Sequence, residues 1–158
     1  MTAPRVLHLE PGQAIVEIGT ALVVVLQRIQ TVTTARALLT ATRERGRQPP
    51  APMVYVIEPF LGLPAADARH TLLEVSREGD RTYSALGMIV LGGPLQVAAA
   101  RAFVLGLRLA TSARMPFEVF ASLASAPPWM RRLDPSFPST ETFVTGVQTI
   151  QKRIAGAR

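Results

Sequence analysis

Short apolar runs rich in β-branched residues alternate along the chain with longer segments whose apolar residues recur every three or four positions. The runs are typical of strands, and the longer segments are typical of amphipathic helices. Continuous apolar runs predict three strands that are covered on both faces, at 21–26, 53–57 and 85–91. Weaker runs at 6–9 and 13–18 precede them, and the alternating run 117–121 predicts a last strand at a sheet edge.

Helical spacing follows each of the three buried runs. The predicted helices cover 31–46, 64–79 and 95–111. The third is apolar over most of its circumference, so we expect it to be the most buried helix. A short helix capped by Ser122 comes next, and the pair Pro127-Pro128 is expected to limit its length.

The carboxy-terminal segment predicts a last amphipathic helix after a link rich in proline and serine. Its apolar residues fall on one face, at Phe143, Val147, Ile150 and Ile154. That face either docks onto its own domain or forms a dimer or partner interface, and the pattern leaves both alternatives open.

The order of the elements predicts an α/β fold. Strands that alternate with helices form a mixed, mostly parallel sheet, for which we expect four to six strands and helices on both faces. We assign residues 1–132 to this domain, and residues 133–158 to the linker and the carboxy-terminal amphipathic helix.

Composition narrows the class of protein. The 158 residues are 48% hydrophobic, which suits one domain with a sizeable core and excludes intrinsic disorder. No cysteine is present, which excludes disulfide staples and zinc sites built on thiolates. Charged residues interrupt the longest apolar stretches, so no membrane insertion is expected, and we expect a soluble, cytoplasmic protein.

The net charge of +6 favours anionic partners in general. All but one of the basic residues are arginines, and they are scattered along the chain with few aromatic residues between them. Nucleic-acid binding is therefore unlikely, because that function needs a basic patch or aromatic stacking platforms.

Motifs that carry chemistry are missing from the sequence. It contains no nucleophile elbow, no phosphate-binding loop and no dinucleotide fingerprint. His8 and His70 have no carboxylate at a spacing that indicates a catalytic pair or a metal site. We expect no enzyme activity, no cofactor and no metal.

One position in the predicted sheet is suited to a ligand. In open α/β sheets ligands bind beyond the carboxyl ends of the strands, and Glu58, Gly92 and Gly93 follow two such ends. The helix after Gly93 directs its amide groups towards this edge, where a small anion or a partner's carboxylate could bind. A tight turn before a capped helix explains the same residues without a ligand.

The layout resembles the STAS domain of anti-sigma-factor antagonists, also described as the SpoIIAA-like fold. The resemblance covers residues 6–132 and lies in the strand 21–26, the strand 53–57 with its loop into Pro64-Ala65-Ala66, and the strand 88–91 followed by Gly-Gly and an alanine-rich helix. Members that are phosphorylated carry Asp-Ser-Ser/Thr-Gly where this chain has Leu63-Pro64-Ala65-Ala66. Without a hydroxyl there, the resemblance implies a divergent member that lacks this control.

The resemblance implies a non-catalytic protein-interaction or regulatory module of a bacterial cytoplasm, which binds a protein partner through residues 60–77. The residues expected to contact the partner are Phe60, Leu61, Leu63, Asp67 and His70. Two alternatives remain: a small-ligand binder or cryptic enzyme at the edge near Glu58, and an oligomeric structural protein that assembles through the carboxy-terminal helix.

Overall fold

The computed structural model describes residues 3–59 and 62–157. The described chain forms one six-stranded sheet with five helices packed on it. The strands are β1 (Arg5–Glu10), β2 (Gln13–Ile18), β3 (Ala21–Leu26), β4 (Ala51–Ile57), β5 (Tyr83–Val90) and β6 (Phe117–Phe120). The helices are α1 (Val32–Arg45), α2 (Ala66–Thr82), α3 (Pro94–Thr111), α4 (Ala126–Leu133) and α5 (Thr140–Gly156).

The strands lie in the sheet in the same order as in the sequence. Strands β1 to β3 form an antiparallel meander whose turns contain Gly12, with φ of +74°, and Gly19, with φ of +60°. These are left-handed conformations that glycine adopts without steric cost. Strands β3 to β6 are parallel, which confirms the predicted mixed, mostly parallel sheet.

The helices lie on both faces of the sheet, as predicted. Each parallel connection steps to the next strand in the same direction, and right-handed crossovers therefore place α1, α2 and α3 on one face. The other face is covered by α4 and α5. Two separate hydrophobic cores result, one on each side of the sheet.

The short helix α4 corrects one prediction. Pro127 and Pro128 do not limit a helix that begins at Ser122; they lie in the first turn of α4, which continues to Leu133. A proline is tolerated in the first turn because the amide that it lacks has no partner within the helix there.

The carboxy-terminal helix α5 lies on the sheet of its own domain. Phe143, Val147, Ile150 and Ile154 are at most 2% exposed and pack against side chains from β2 and β3. The alternative that this stripe forms a dimer or partner interface is therefore wrong. The helix belongs to the same single domain as the sheet that it covers.

The prediction that α3 is the most buried helix is also wrong. Val104 is its one buried side chain, whereas Leu95 is 80% exposed and Leu109 is 82% exposed. The helix covers the sheet loosely, and a cavity separates much of it from β4 and β5.

Candidate functional site

A cavity of about 370 Å³ lies between the sheet and the two helices α2 and α3. Its floor is formed by side chains from the two central strands: Met53, Tyr55, Ile57, Leu86, Met88 and Val90. Its side wall comes from α2, and its roof comes from α3: Leu72, Val75, Ser76, Gly79, Ala99, Ala100, Phe103, Val104 and Leu107. Nearly all of these groups are apolar, so the cavity favours an apolar occupant.

The cavity is elongated along the strands. On β5 it is lined from Tyr83 to Val90, a distance of roughly 23 Å at the usual rise per residue. Residues at both ends of the central strands therefore line it.

Gln30 places an amide in this apolar cavity. Its side chain is 4% exposed, and its Nε2 has no hydrogen-bond partner among residues 3–59 and 62–157. A buried donor without a partner costs free energy, about 1–3 kcal/mol. A ligand with an acceptor group would remove this cost.

The loop that carries Gln30 is held in place from the sheet. Gln13 in β2 is 2% exposed; its Nε2 donates to the carbonyl of Ile29 at 3.2 Å, and its Oε1 accepts from the amide of Thr31 at 3.1 Å. The Thr31 hydroxyl in turn accepts from the amide of Thr34 and caps α1. These bonds fix the backbone on both sides of Gln30, so its side chain enters the cavity in a defined position.

The edge predicted from the sequence forms one end of the cavity. Glu58 lies at this end, and its Oε1 accepts from the side-chain amides of Gln27 and of Gln151 on α5, each at 3.0 Å, so its carboxylate is held towards the other face of the sheet. Gly93 is the residue before the first turn of α3, where no side chain caps the helix. Gln96, one turn further along α3, also lines the cavity. The carboxyl end of the sheet is therefore the polar end of the cavity.

Two tyrosines extend from the sheet into the cavity wall. Burial raises the pKa of Tyr83 to about 12, against smaller opposing effects from the Thr42 hydroxyl and the charge of Arg45. Burial also raises the pKa of Tyr55, the charge that Tyr83 would carry raises it further, and the nearby Gln30 amide lowers it slightly. Gln30 nonetheless forms no hydrogen bond of ordinary geometry through Nε2. Both phenols remain protonated at neutral pH.

Three of the residues predicted to contact a protein partner, Leu63, Asp67 and His70, are among those that the structure describes. Leu63 is 61% exposed and also lines the cavity. Asp67 is exposed, and its Oδ1 accepts from the amide of Ala68. His70 is exposed on α2, and Phe60 and Leu61 lie outside the described residues.

Each histidine lies near one carboxylate side chain. His8 Nε2 lies 3.1 Å from Glu10 Oε1, and His70 Nε2 lies 3.7 Å from Glu74 Oε1, one helical turn away. Neither pair lines the cavity. They are local polar contacts of a hairpin and a helix surface, and they do not change the chemistry of the site.

Sequence reasoning identified the edge of the site but not the cavity. Nothing in the apolar pattern distinguishes a helix that is packed on the sheet from one that is separated from it. The available signals were a glutamine, Gln30, between a buried strand and a helix, and small residues on the sheet side of α3, Ala99 and Ala100.

No family model, curated protein or solved structure matches this chain. Over residues 3–59 and 62–157, none of the helices combines the length and hydropathy that a membrane span needs. In the same part of the chain, no three histidine or acidic side chains are grouped so that they could hold a metal ion.

Proposed function

We propose that the protein is a non-catalytic module that binds a small, largely apolar molecule in the cavity beneath α3. The observation that carries this proposal is the apolar cavity of about 370 Å³ with the unpartnered amide of Gln30 inside it. A cavity of about 150 Å³ lined by apolar side chains is already large enough to bind benzene. By that measure this cavity holds roughly 15 non-hydrogen atoms.

The weak packing of α3 supports the proposal. A helix that is apolar over most of its surface and buries one side chain is poorly stabilised by the sheet beneath it. A bound apolar molecule would supply the contacts that are missing between Ala100, Phe103 and the floor of the cavity. Ligand binding and the packing of α3 are therefore coupled in this proposal.

Filling the cavity tests the proposal. Ala100→Phe places a ring beneath α3, and we expect it to weaken the binding of a neutral naphthylamine dye by at least about tenfold, because ring and dye compete for the same space. The measurement is a fluorescence titration. Ala102→Phe is the matched control, since Ala102 is exposed on the same helix and does not line the cavity. Equal dye affinities for both variants and the wild type would contradict the proposal.

A second candidate function is the protein-interaction module that the resemblance to STAS domains implies. It is favoured by Leu63 and Leu95, two large exposed side chains near the carboxyl end of the parallel strands. Exposed apolar side chains that lie close together are typical of docking sites. Leu63 also lines the cavity, so a partner docked there would contact the binding site.

Leu63→Asp tests this second candidate. Because Leu63 is 61% exposed, we expect the variant to fold normally, as judged by circular dichroism, and to lose a partner that the wild type retains in a pull-down. Leu133→Asp is the control, since Leu133 is also exposed but lies on α4, on the other face of the sheet. A partner retained by all three proteins would show that this surface is not the docking site.

A further inference from the structure

We infer that the ligand is an elongated acyl compound with an uncharged carbonyl group, such as a medium-chain ester or amide, and not a carboxylate anion. This inference rests on the proposed function of the cavity. It follows from three features: the direction of hydrogen bonding that Gln30 offers, the lack of a cationic side chain among the described residues that line the cavity, and the capacity of the cavity.

Gln30 offers a donor. Its Nε2 is buried without a partner among the described residues, and it lies at the polar end of the cavity, next to the Tyr55 hydroxyl. A carbonyl oxygen accepts such a hydrogen bond, whereas an alkane does not. The ligand therefore carries an oxygen acceptor at the end near Gln30 and an apolar chain that extends away from it.

The charges exclude an ionised head group. Glu58 is the one charged residue among the described residues that line the cavity, and its carboxylate is bonded to Gln27 and to Gln151 of α5, towards the other face of the sheet. No described arginine, lysine or histidine lines the cavity, so a carboxylate bound there would be buried without a cation to balance it, which is strongly unfavourable. The amino-terminal end of α3 contributes only about half a positive charge, less than the full negative charge of a bound carboxylate. A neutral carbonyl avoids this cost.

The capacity selects the length of the chain. The lining runs from Gln30 and Gln96 at the polar end to Tyr83, Leu107 and Met115 at the other end. A capacity of roughly 15 non-hydrogen atoms fits one acyl chain of about ten carbons with its head group. The ligand class is therefore a neutral medium-chain acyl derivative.

A matched pair of ligands tests the inference. Decanamide and decanoate have the same chain length, and at pH 8 decanoate is almost fully ionised. We expect decanamide to displace the naphthylamine dye from the wild-type protein at a concentration at least about tenfold lower than decanoate does. Methyl decanoate is expected to behave like decanamide.

Two variants test which residue causes the preference for decanamide over decanoate. Gln30→Leu removes the donor and breaks no hydrogen bond of Nε2 to a described residue, so we expect the variant to fold. We expect it to bind decanamide about fivefold more weakly than the wild type does and to retain the affinity for the dye. Glu58→Gln is the control, because the Glu58 carboxylate is bonded towards the other face of the sheet, and we expect both affinities to stay within about twofold of the wild type. Thermal unfolding monitors whether each variant is folded.

The outcomes separate this inference from the proposed function. If the dye binds in the cavity but decanoate competes as well as decanamide, the head-group inference is overturned and the cavity remains a binding site. Unchanged decanamide affinity in Gln30→Leu would also overturn it. If neither the dye nor any of the acyl compounds binds the wild type, the proposed function fails and the inference fails with it.

Discussion

Removal of residues 134–158 is expected to unfold the protein. The helix α5 covers one face of the sheet, and its buried side chains Phe143, Val147, Ile150 and Ile154 form the centre of the second core. Without them, the faces of β2 and β3 that carry Ala14, Val16, Val23 and Val25 would be exposed to water. A truncated chain is therefore expected to be insoluble or to lack cooperative unfolding in urea.

A single substitution measures the same contribution without removing the helix. Phe143 is fully buried, and its ring packs against the ring of Phe137 with centroids 5.3 Å apart. We expect Phe143→Ala to lower the free energy of unfolding by about 3–5 kcal/mol, as cavity-forming substitutions of buried aromatic residues do. Gln148→Ala is the control on the exposed face of α5, with an expected change below about 0.5 kcal/mol.

Urea denaturation followed by circular dichroism checks both expectations. A truncated protein that stays soluble and unfolds cooperatively at the wild-type urea concentration would show that the sheet does not depend on α5. A Phe143→Ala variant as stable as the Gln148→Ala control would lead to the same conclusion.

The sequence predicted the sheet well because strand burial is a local property. The runs 21–26, 53–57 and 85–91 are apolar at consecutive positions, and this pattern occurs where helices or other layers cover both faces of a strand. Crossover helices then follow from parallel pairing, and their handedness places them on one face. The hydrophobic pattern was therefore sufficient to predict the number of strands and the two layers of helices.

The packing of α3 and α5 could not be predicted from the sequence, because an apolar helix face does not identify the element that it contacts. Both helices carry such a face, yet α5 is packed against the sheet and α3 is separated from it by a cavity. The difference depends on distances between elements that are far apart in the sequence. The resemblance to STAS domains does not resolve it either, and that assignment stays a prediction.

The candidate site was predicted in part for the same reason. Glu58 and Gly93 could be placed at the carboxyl edge of the sheet from topology alone. Gln30 could not be recognised, because its role depends on the long-range bonds from Gln13 that fix its loop and on a cavity formed by two other elements. Polar residues within a cavity can be recognised as candidate site residues only once the packing of the elements around them is known.

The two tyrosines of the chain should control its stability at alkaline pH. Tyr83 is 3% exposed, and burial raises its pKa to about 12 from an ordinary value of 10; burial raises the pKa of Tyr55 as well. The folded state therefore keeps both protons at a pH where the unfolded chain releases them. Other groups contribute little in this range, because Lys152 is the single lysine and arginines stay charged.

We expect the free energy of unfolding to be independent of these tyrosines below about pH 10 and to fall above it, by up to ~1.4 kcal/mol per pH unit from Tyr83 alone. The sign follows from proton binding, since the folded state binds more protons than the unfolded state between the two pKa values. Urea denaturation at several pH values measures this slope, and Tyr83→Phe is expected to reduce it. The near-ultraviolet absorbance of phenolate in the folded protein should stay low until about pH 12. Phenolate absorbance that rises near pH 10 while the protein is still folded would contradict the raised pKa values of the two tyrosines.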